Sequence, residues 1–281
     1  MLQVHNEYDK LNRVLMASVA NFRLHNPINS TQCYYYANDP PKLDVLIAQQ
    51  NKYIEALQSN GVDIVFAEMR EDSTNQINTR DVAFVIGNTF VVSPMKEPIR
   101  QNEHLALENL ISTFESSDVV LRPQSGVIEG GDIVVAENCI YVGVSQRTNA
   151  EGVLWLKNNF EKKYKIVPIY LNDGYLHLDV VFNILSTGVC LLCEDGIKKE
   201  SLQRLSQNHD FIYTHQSEQI YLPTNVLSIN PKLLVADPRN AKTISHIANN
   251  GIDIIEIDFS EISKIGGSFR CSTCPLERTP L

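Results

Sequence analysis

Four short stretches carry side chains suited to chemistry: Thr79-Arg80-Asp81, Glu129-Gly130-Gly131-Asp132, His177-Leu178-Asp179 and Gly266-Gly267-Ser268-Phe269-Arg270-Cys271. Gathered in one cleft, they would supply a nucleophilic thiol, an imidazole for proton transfer and carboxylates that clamp a cation. One substrate class suits this set well. Guanidinium is planar, permanently charged and presents five N–H donors in a fixed fork, so its edges call for carboxylates. Its carbon is a poor electrophile, toward which thiolate is a far better attacker than neutral water. Departure of an amine then needs a proton, and histidine titrates nearest neutrality. Taken singly, each stretch has a plainer reading. His177 alone reads as a structural histidine, and Glu-Gly-Gly-Asp as a turn in which Gly130 and Gly131 adopt positive φ.

The elements that must position these groups alternate between strand and helix along the whole chain. Arg13–Ala17 and Ile64–Phe66 read as strands flanking a helix whose Leu43, Leu46, Tyr53, Ile54 and Leu57 share one face, with Gly61 ending it. Two short strands about Gly87-Asn88 come next, then a helix marked by Leu107, Leu110, Ile111 and Phe114, and a strand at Val119–Leu121. The same order recurs with strands at 133–135, 140–142 and 165–168 around a helix at 150–160. It recurs again with strands at 180–185, 188–192 and 211–213 around 198–205, and with strands at 226–229, 233–236 and 254–257 around 241–250. Asp81, Asp132, Asp179 and Asn225 each open a unit, at intervals of 51, 47 and 46 residues. Units that bury their faces only against copies of themselves form a closed ring or a solenoid. The openings of such units face one place, so their side chains can converge. No Gly/Ser- or Pro-rich linker interrupts the series, which predicts one α/β domain over residues 1–281. The segment Asn26–Asn29 followed by Tyr34-Tyr35-Tyr36 reads as a loop, either over the site or on the surface.

Composition narrows the function classes. The 281 residues include 24 basic and 33 acidic side chains, a formal net charge of −9, with no Lys/Arg-rich run. That disfavours nucleic acid as a partner and suits a small cation. The polar start, Met1–Lys10, has no signal-peptide pattern, and no apolar run approaches a membrane span. Six cysteines are too few for a disulfide scaffold. A cytoplasmic protein with reduced thiols is expected. Two Cys-x-x-Cys pairs, Cys190/Cys193 and Cys271/Cys274, raise a zinc site, but 190–193 lies in an apolar strand where residues three apart face opposite ways. Cys33, Cys139, Cys190 and Cys193 read as small packing residues. Cys274 is close enough in sequence to Cys271 for an oxidative disulfide. His104 and His246 read as solvated helix residues, and His5, His25, His209 and His215 as surface groups.

Taken together, the four motifs make the sequence resemble the guanidino-group-modifying enzymes: arginine deiminases, dimethylarginine dimethylaminohydrolases and amidinotransferases. The likeness runs from about Leu11 to Leu276. It implies a five-bladed, pseudo-fivefold ββαβ propeller, the pentein fold, with the active site at its centre. By that resemblance Asp81 and Asp179 bind the guanidinium, Glu129 contacts it beside the histidine, His177 is the general acid/base, and Cys271 is the nucleophile. Arg100 and Arg147 fall where the family holds a substrate's α-carboxylate, implying an amino-acid substrate. The run Cys271-Ser272-Thr273-Cys274-Pro275 looks particularly like arginine deiminase, whereas the chain's length is nearer that of dimethylarginine hydrolases. Arg270 stands where deiminases and amidinotransferases usually have His, and either favours thiolate or reaches the substrate. Gly266 stands where deiminases carry a further arginine.

The implied activity is cofactor-free, metal-free hydrolysis of arginine or N-methylated arginine through a covalent thiouronium, giving citrulline with ammonia or a methylated amine. Amidino transfer to an amine, arginine dihydrolysis to ornithine and non-catalytic binding of a guanidino metabolite are the alternatives. A homo-oligomer stays open.

Overall fold

In a computed structural model, which describes residues 1–205 and 210–281, fifteen strands form five three-stranded sheets. His209 lies outside the described residues. Each sheet is one blade of a closed propeller: an antiparallel pair, a crossover, then a third strand parallel to the second. The first blade joins distant parts of the chain. Strand β1 (Lys10–Met16) pairs in parallel with β2 (Asp63–Phe66), and antiparallel with β15 (Cys274–Thr279). The second blade contains β3 (Ala83–Ile86), β4 (Thr89–Val92) and β5 (Val119–Leu121). The third contains β6 (Ile133–Ala136), β7 (Cys139–Val144) and β8 (Lys165–Tyr170). The fourth contains β9 (Phe182–Ser186), β10 (Val189–Leu192) and β11 (Asp210–Tyr213); the fifth, β12 (Leu227–Asn230), β13 (Leu233–Ala236) and β14 (Asp253–Glu256).

The crossovers carry the helices, among them Leu43–Ser59, Ala150–Phe160, Lys199–Leu205 and Ala241–Asn249. Gly61, with φ of 77°, takes the chain out of the first. Apolar side chains gather between neighbouring blades rather than in one central core. Phe84, Val91, Ile133 and Val142 join blades two and three; Val134, Tyr141, Phe182 and Cys190 join three and four. The ring's middle is thereby left to polar groups, because the motif residues sit just ahead of each blade's first strand. Cys271 occupies the fifth such position, 46 residues after Asn225 and ahead of β15.

Several boundaries differ from expectation. Residues 30–38 form a helix rather than a loop, capped by the Asn29 side chain, which accepts from the Gln32 N–H at 2.8 Å. The expected helix around Leu107–Phe114 is a 3-10 stretch, Glu103–Leu107, followed by one α-turn, Glu108–Ile111. Strand β9 begins at Phe182, because Leu178–Val180 is a 3-10 turn. Cys33 is exposed rather than packed. Among the described residues no helix is long and apolar enough to cross a membrane.

Candidate functional site

The polar ends of the blades converge on a buried constellation. His177 Nε2 lies 2.8 Å from Glu129 Oε2, and its Nδ1 lies 3.6 Å from Asp81 Oδ1. Burial opposes a charged imidazole, but the charge of Asp81 and the hydrogen bond His177 donates to Glu129 outweigh it and raise His177 to about 10. Burial likewise opposes the Glu129 carboxylate. The histidine beside it, with Arg100 and Arg147, overrides that and holds Glu129 down to about 2. Both shifts run toward the imidazolium–carboxylate form of the pair.

Two glycines permit this approach, and neither adopts the positive φ expected from sequence. A Cβ on Gly131 would stand 2.7 Å from Asp81 Oδ1 and 2.8 Å from the His177 ring; one on Gly130 would meet the Arg80 carbonyl at 2.0 Å. Gly131→Ala should therefore push the carboxylate and imidazole apart. We expect a loss in kcat/KM on the order of 10²-fold, the cost of roughly an ångström of misplacement. Steady-state kinetics beside a melting curve checks this, since the melting point should change far less. Asp132, fully buried, accepts the Leu178 N–H at 2.9 Å and the Ser145 hydroxyl at 2.6 Å. It thus ties the residue after His177 to the turn that leads into Arg147. Burial pushes its carboxyl up to about 7.

Cys271 is held by packing below and hydrogen bonds around it. Phe269 stacks on Phe259 at 4.2 Å and meets Tyr53 edge-on, while the Tyr53 hydroxyl donates to the Phe269 carbonyl. Asn225 then organises the loop. Its Oδ1 accepts the N–H groups of Ser268 and Cys271, and its Nδ2 donates to Cys271 Sγ at 3.1 Å. Asp179 Oδ2 lies 3.4 Å from the same sulfur. Burial first, then the charges of Asp179 and Asp81, push the thiol well above its ordinary value. The thiol faces polar groups, not packed hydrocarbon.

Asn225 is the site residue that the sequence reading missed. It was noted only for its spacing, yet that spacing was the signal, since it places Asn225 in the same blade position as Asp81, Asp132 and Asp179.

The arginines divide. Arg100 donates to both oxygens of Glu103, to Asp81 Oδ2 at 2.7 Å and to the Asn78 carbonyl. Arg147 donates through Nη2 to the Ile28 carbonyl at 2.6 Å, stands 3.5–3.6 Å from Glu97 and Glu129, and its buried Nη1 has no hydrogen-bond acceptor. Arg270 lies beneath the site, donating to Asp179 Oδ2 at 2.9 Å and Glu7 Oε1 at 3.0 Å.

One atom from each of Asp81, Glu129 and His177 lies within 4.8 Å of the other two, a spacing a metal ion could use. Glu129 and His177 are, however, bonded to each other, and a shared ion would have to break that bond. Two buried oxygens, Asp81 Oδ1 and Asp179 Oδ1, have no hydrogen-bond partner. Beside the site, a cavity of about 130 Å³ lies between Asn29, Thr31, Tyr175, Leu176, Leu222 and Gly266. A larger groove of about 610 Å³, lined by Met1, His5, Gly87 and Lys162, opens at the far end of β3, away from this chemistry.

Residues 24–278 match the family described as N,N dimethylarginine dimethylhydrolase, eukaryotic. The chain is 37% identical over 273 residues to YkgA, an uncharacterized protein of Bacillus subtilis (strain 168), covering 97% of this chain and 94% of that one. It is 26% identical to the N(G),N(G)-dimethylarginine dimethylaminohydrolase of Pseudomonas aeruginosa, covering 80% of this chain and 86% of that one. The fold is shared with SxtG, an amidinotransferase from Microseira wollei in the saxitoxin biosynthetic pathway. That match has a TM-score of 0.87 at 21% identity and covers 100% of this chain and 98% of that one. Sequence motifs, blade architecture and family match agree: the chain belongs to the dimethylarginine dimethylhydrolase family, within the guanidino-group-modifying superfamily.

Proposed function

We propose that the protein is a cysteine-dependent hydrolase of the guanidino group of arginine or N-methylated arginine. The observation that carries this reading is a pair of buried carboxylate oxygens that accept no hydrogen bond, Asp81 Oδ1, 3.6 Å from His177 Nδ1, and Asp179 Oδ1, in a site whose thiol lies against Asp179. Buried anionic oxygens without donors are costly, and a planar cation with N–H groups on both edges satisfies them. The family match and the similarity to the Pseudomonas aeruginosa hydrolase support hydrolysis.

In this mechanism the bound guanidinium offsets the negative field of Asp81 and Asp179, which is part of what keeps Cys271 protonated. With the cation in place Cys271 gives up its proton to solvent, Asp179 stays an anion against the guanidinium, and the thiolate attacks the guanidino carbon. The His177 imidazolium protonates the departing amine as the C–N bond breaks, leaving a covalent S-alkylthiouronium. Now neutral, His177 takes a proton from water, whose oxygen adds to the same carbon. Collapse releases the remaining hydroxyl proton to solvent or the freed amine, expels the thiolate and leaves a ureido group, as in citrulline. Glu129 keeps His177 oriented and charged. We assign the substrate's α-carboxylate to Arg147, whose Nη1 is free to donate. Arg100 also borders the site and holds Asp81 in place; its share in binding the carboxylate requires it to give up part of its bonding to Glu103.

The test is a panel of arginine, mono- and dimethylarginine and agmatine, with and without an acceptor amine, reading ammonia, methylamines and ureido product. Ureido product without acceptor is the expected result. Turnover only with an acceptor would make the protein a transferase, and tight binding without turnover would make it a binding protein. Either outcome overturns the proposal.

A further inference from the structure

Residues 2–9 lie outside every motif, yet they reach the propeller's axis. They are tied to the ring by bonds between Val4 and Gly87 and between Gln3 and Leu276. Glu7, 4% exposed, accepts the Val135 N–H and the Arg270 Nη2, and sits 3.6 Å from Arg80 Nη1. Arg270 in turn donates through Nη1 to the Asp179 oxygen that faces the Cys271 sulfur, and through Nη2 to the Ile133 carbonyl. Glu7, Arg270, Asp179 and Cys271 thus form one buried chain of contacts.

We infer that Glu7 is a positioning residue for the site: it orients Arg270, balances its charge, and so sets how Asp179 is presented to the thiol and the substrate. The geometry gives the reason. A guanidinium bonded through Nη2 to Glu7 and through Nη1 to Asp179 Oδ2 occupies that one oxygen and leaves Oδ1 without a donor. The charge has a second consequence. Arg270 alone would place a buried cation next to Cys271, repelling a cationic substrate and drawing the thiol toward thiolate before substrate arrives. Glu7 offsets that cation. Both Nη groups of Arg270 are thus engaged within the protein, Nη1 by Asp179 and Nη2 by Glu7 and the Ile133 carbonyl, while its buried Nε has no acceptor.

The charged groups facing this chain are few. Cys271 faces Asp179, Asp81 and Arg270. Arg270 and Glu7 also face the Cys274 thiol, pushed up to about 12 chiefly by burial, and Arg80 and Arg278, both lowered from the usual arginine value, first by burial and then by neighbouring cations that include Arg270. Burial opposes the Glu7 charge, but the arginines hold it down to about 2, so it stays ionised at working pH.

The inference rests on the proposed thiol chemistry for its effect on turnover, so the test reads the thiol directly. Cys271 is alkylated with iodoacetamide, a neutral reagent, across a pH series, and the label is localised by fragment mass spectra. Glu7→Gln should move the Cys271 midpoint down and Arg270→Gln should move it up, each by about one pH unit, or about tenfold in rate at a fixed pH below the midpoint. The double variant, which removes one charge of each sign, should return close to the parent. Arg270→Lys keeps the charge without the fork, so its midpoint should stay near the parent while KM for the guanidino substrate rises. Unchanged midpoints, or shifts of the same sign in both single variants, would overturn the inference; equal loss of melting temperature without opposed shifts would reduce Glu7 to a fold residue. If one single variant fails to fold, the other compared with the double variant still decides the sign. Opposed shifts in a protein that turns over none of the panel would uphold this coupling while removing the hydrolase reading.

Discussion

Cys271→Ser is expected to leave guanidine binding in place and to lower kcat by at least about 10⁴-fold, with no covalent adduct in intact-mass spectra after substrate is added. The reason lies in the field around the sulfur. Burial and the charges of Asp179 and Asp81 already hold the thiol well above its ordinary value. A serine hydroxyl starts higher still and meets the same burial and the same two acids. The planar cation can relieve that field enough for sulfur, whose anion is intrinsically more stable, but not for oxygen. Binding depends on Asp81 and Asp179, which the substitution does not touch, so calorimetry with arginine should still show a complex. Retained turnover in the serine variant would mean that another group attacks the guanidino carbon.

His177→Gln should cost about 10²- to 10⁴-fold in kcat, because one side chain supplies the proton for amine departure and later removes one from water. Its pH signature is specific. His177 is raised from 6.5 to about 10 against the opposing effect of burial, chiefly by the Asp81 charge and the Glu129 hydrogen bond. The parent's activity should therefore fall on the alkaline side near pH 10, as the imidazolium is lost, and that limb should be absent from the residual activity of the variant. Stability follows the same linkage. A histidine whose folded value exceeds its unfolded one contributes stability that is fully present below about 6.5 and is lost as pH rises toward about 10. Melting temperature should decline over that window more steeply in the parent than in His177→Gln. Parallel profiles would show that His177 is not held as the cation.

The residues that proved hard to read are those whose partners are far away in sequence. The blade pattern was visible because each antiparallel pair and its crossover helix are local, and their apolar runs carry a period of two or of 3.6. Strand β15 was not read at all. Its residues, Cys-Pro-Leu-Glu-Arg-Thr, include a proline and two charges, and its pairing with β1 spans most of the chain. Arg278, which makes the strand look surface-like, is buried and donates to the Asp9 and Ser228 carbonyls. The helix at 30–38 reads as a loop in the sequence because it has no apolar face: its only buried side chain is Gln32, which bonds the Ile265 carbonyl. In the site, Asp81, Glu129, His177, Asp179 and Cys271 were legible as motifs. Asn225 is marked only by its spacing from Asp81, Asp132 and Asp179, and Glu7 by nothing, since a carboxylate that balances a distant arginine leaves no local pattern.

Closure of the first blade by β15 bears on how the protein is made. The ribosome delivers four blades before it delivers the sulfur, and β1 keeps an unpaired edge until residues 274–279 leave the exit tunnel. A growing polypeptide therefore lacks both the Cys271 thiol and the seam between β1 and β15, and both arrive in the same dozen residues. Translation that stops short of them leaves β1 with an open edge and, on the proposed mechanism, a product without its nucleophile.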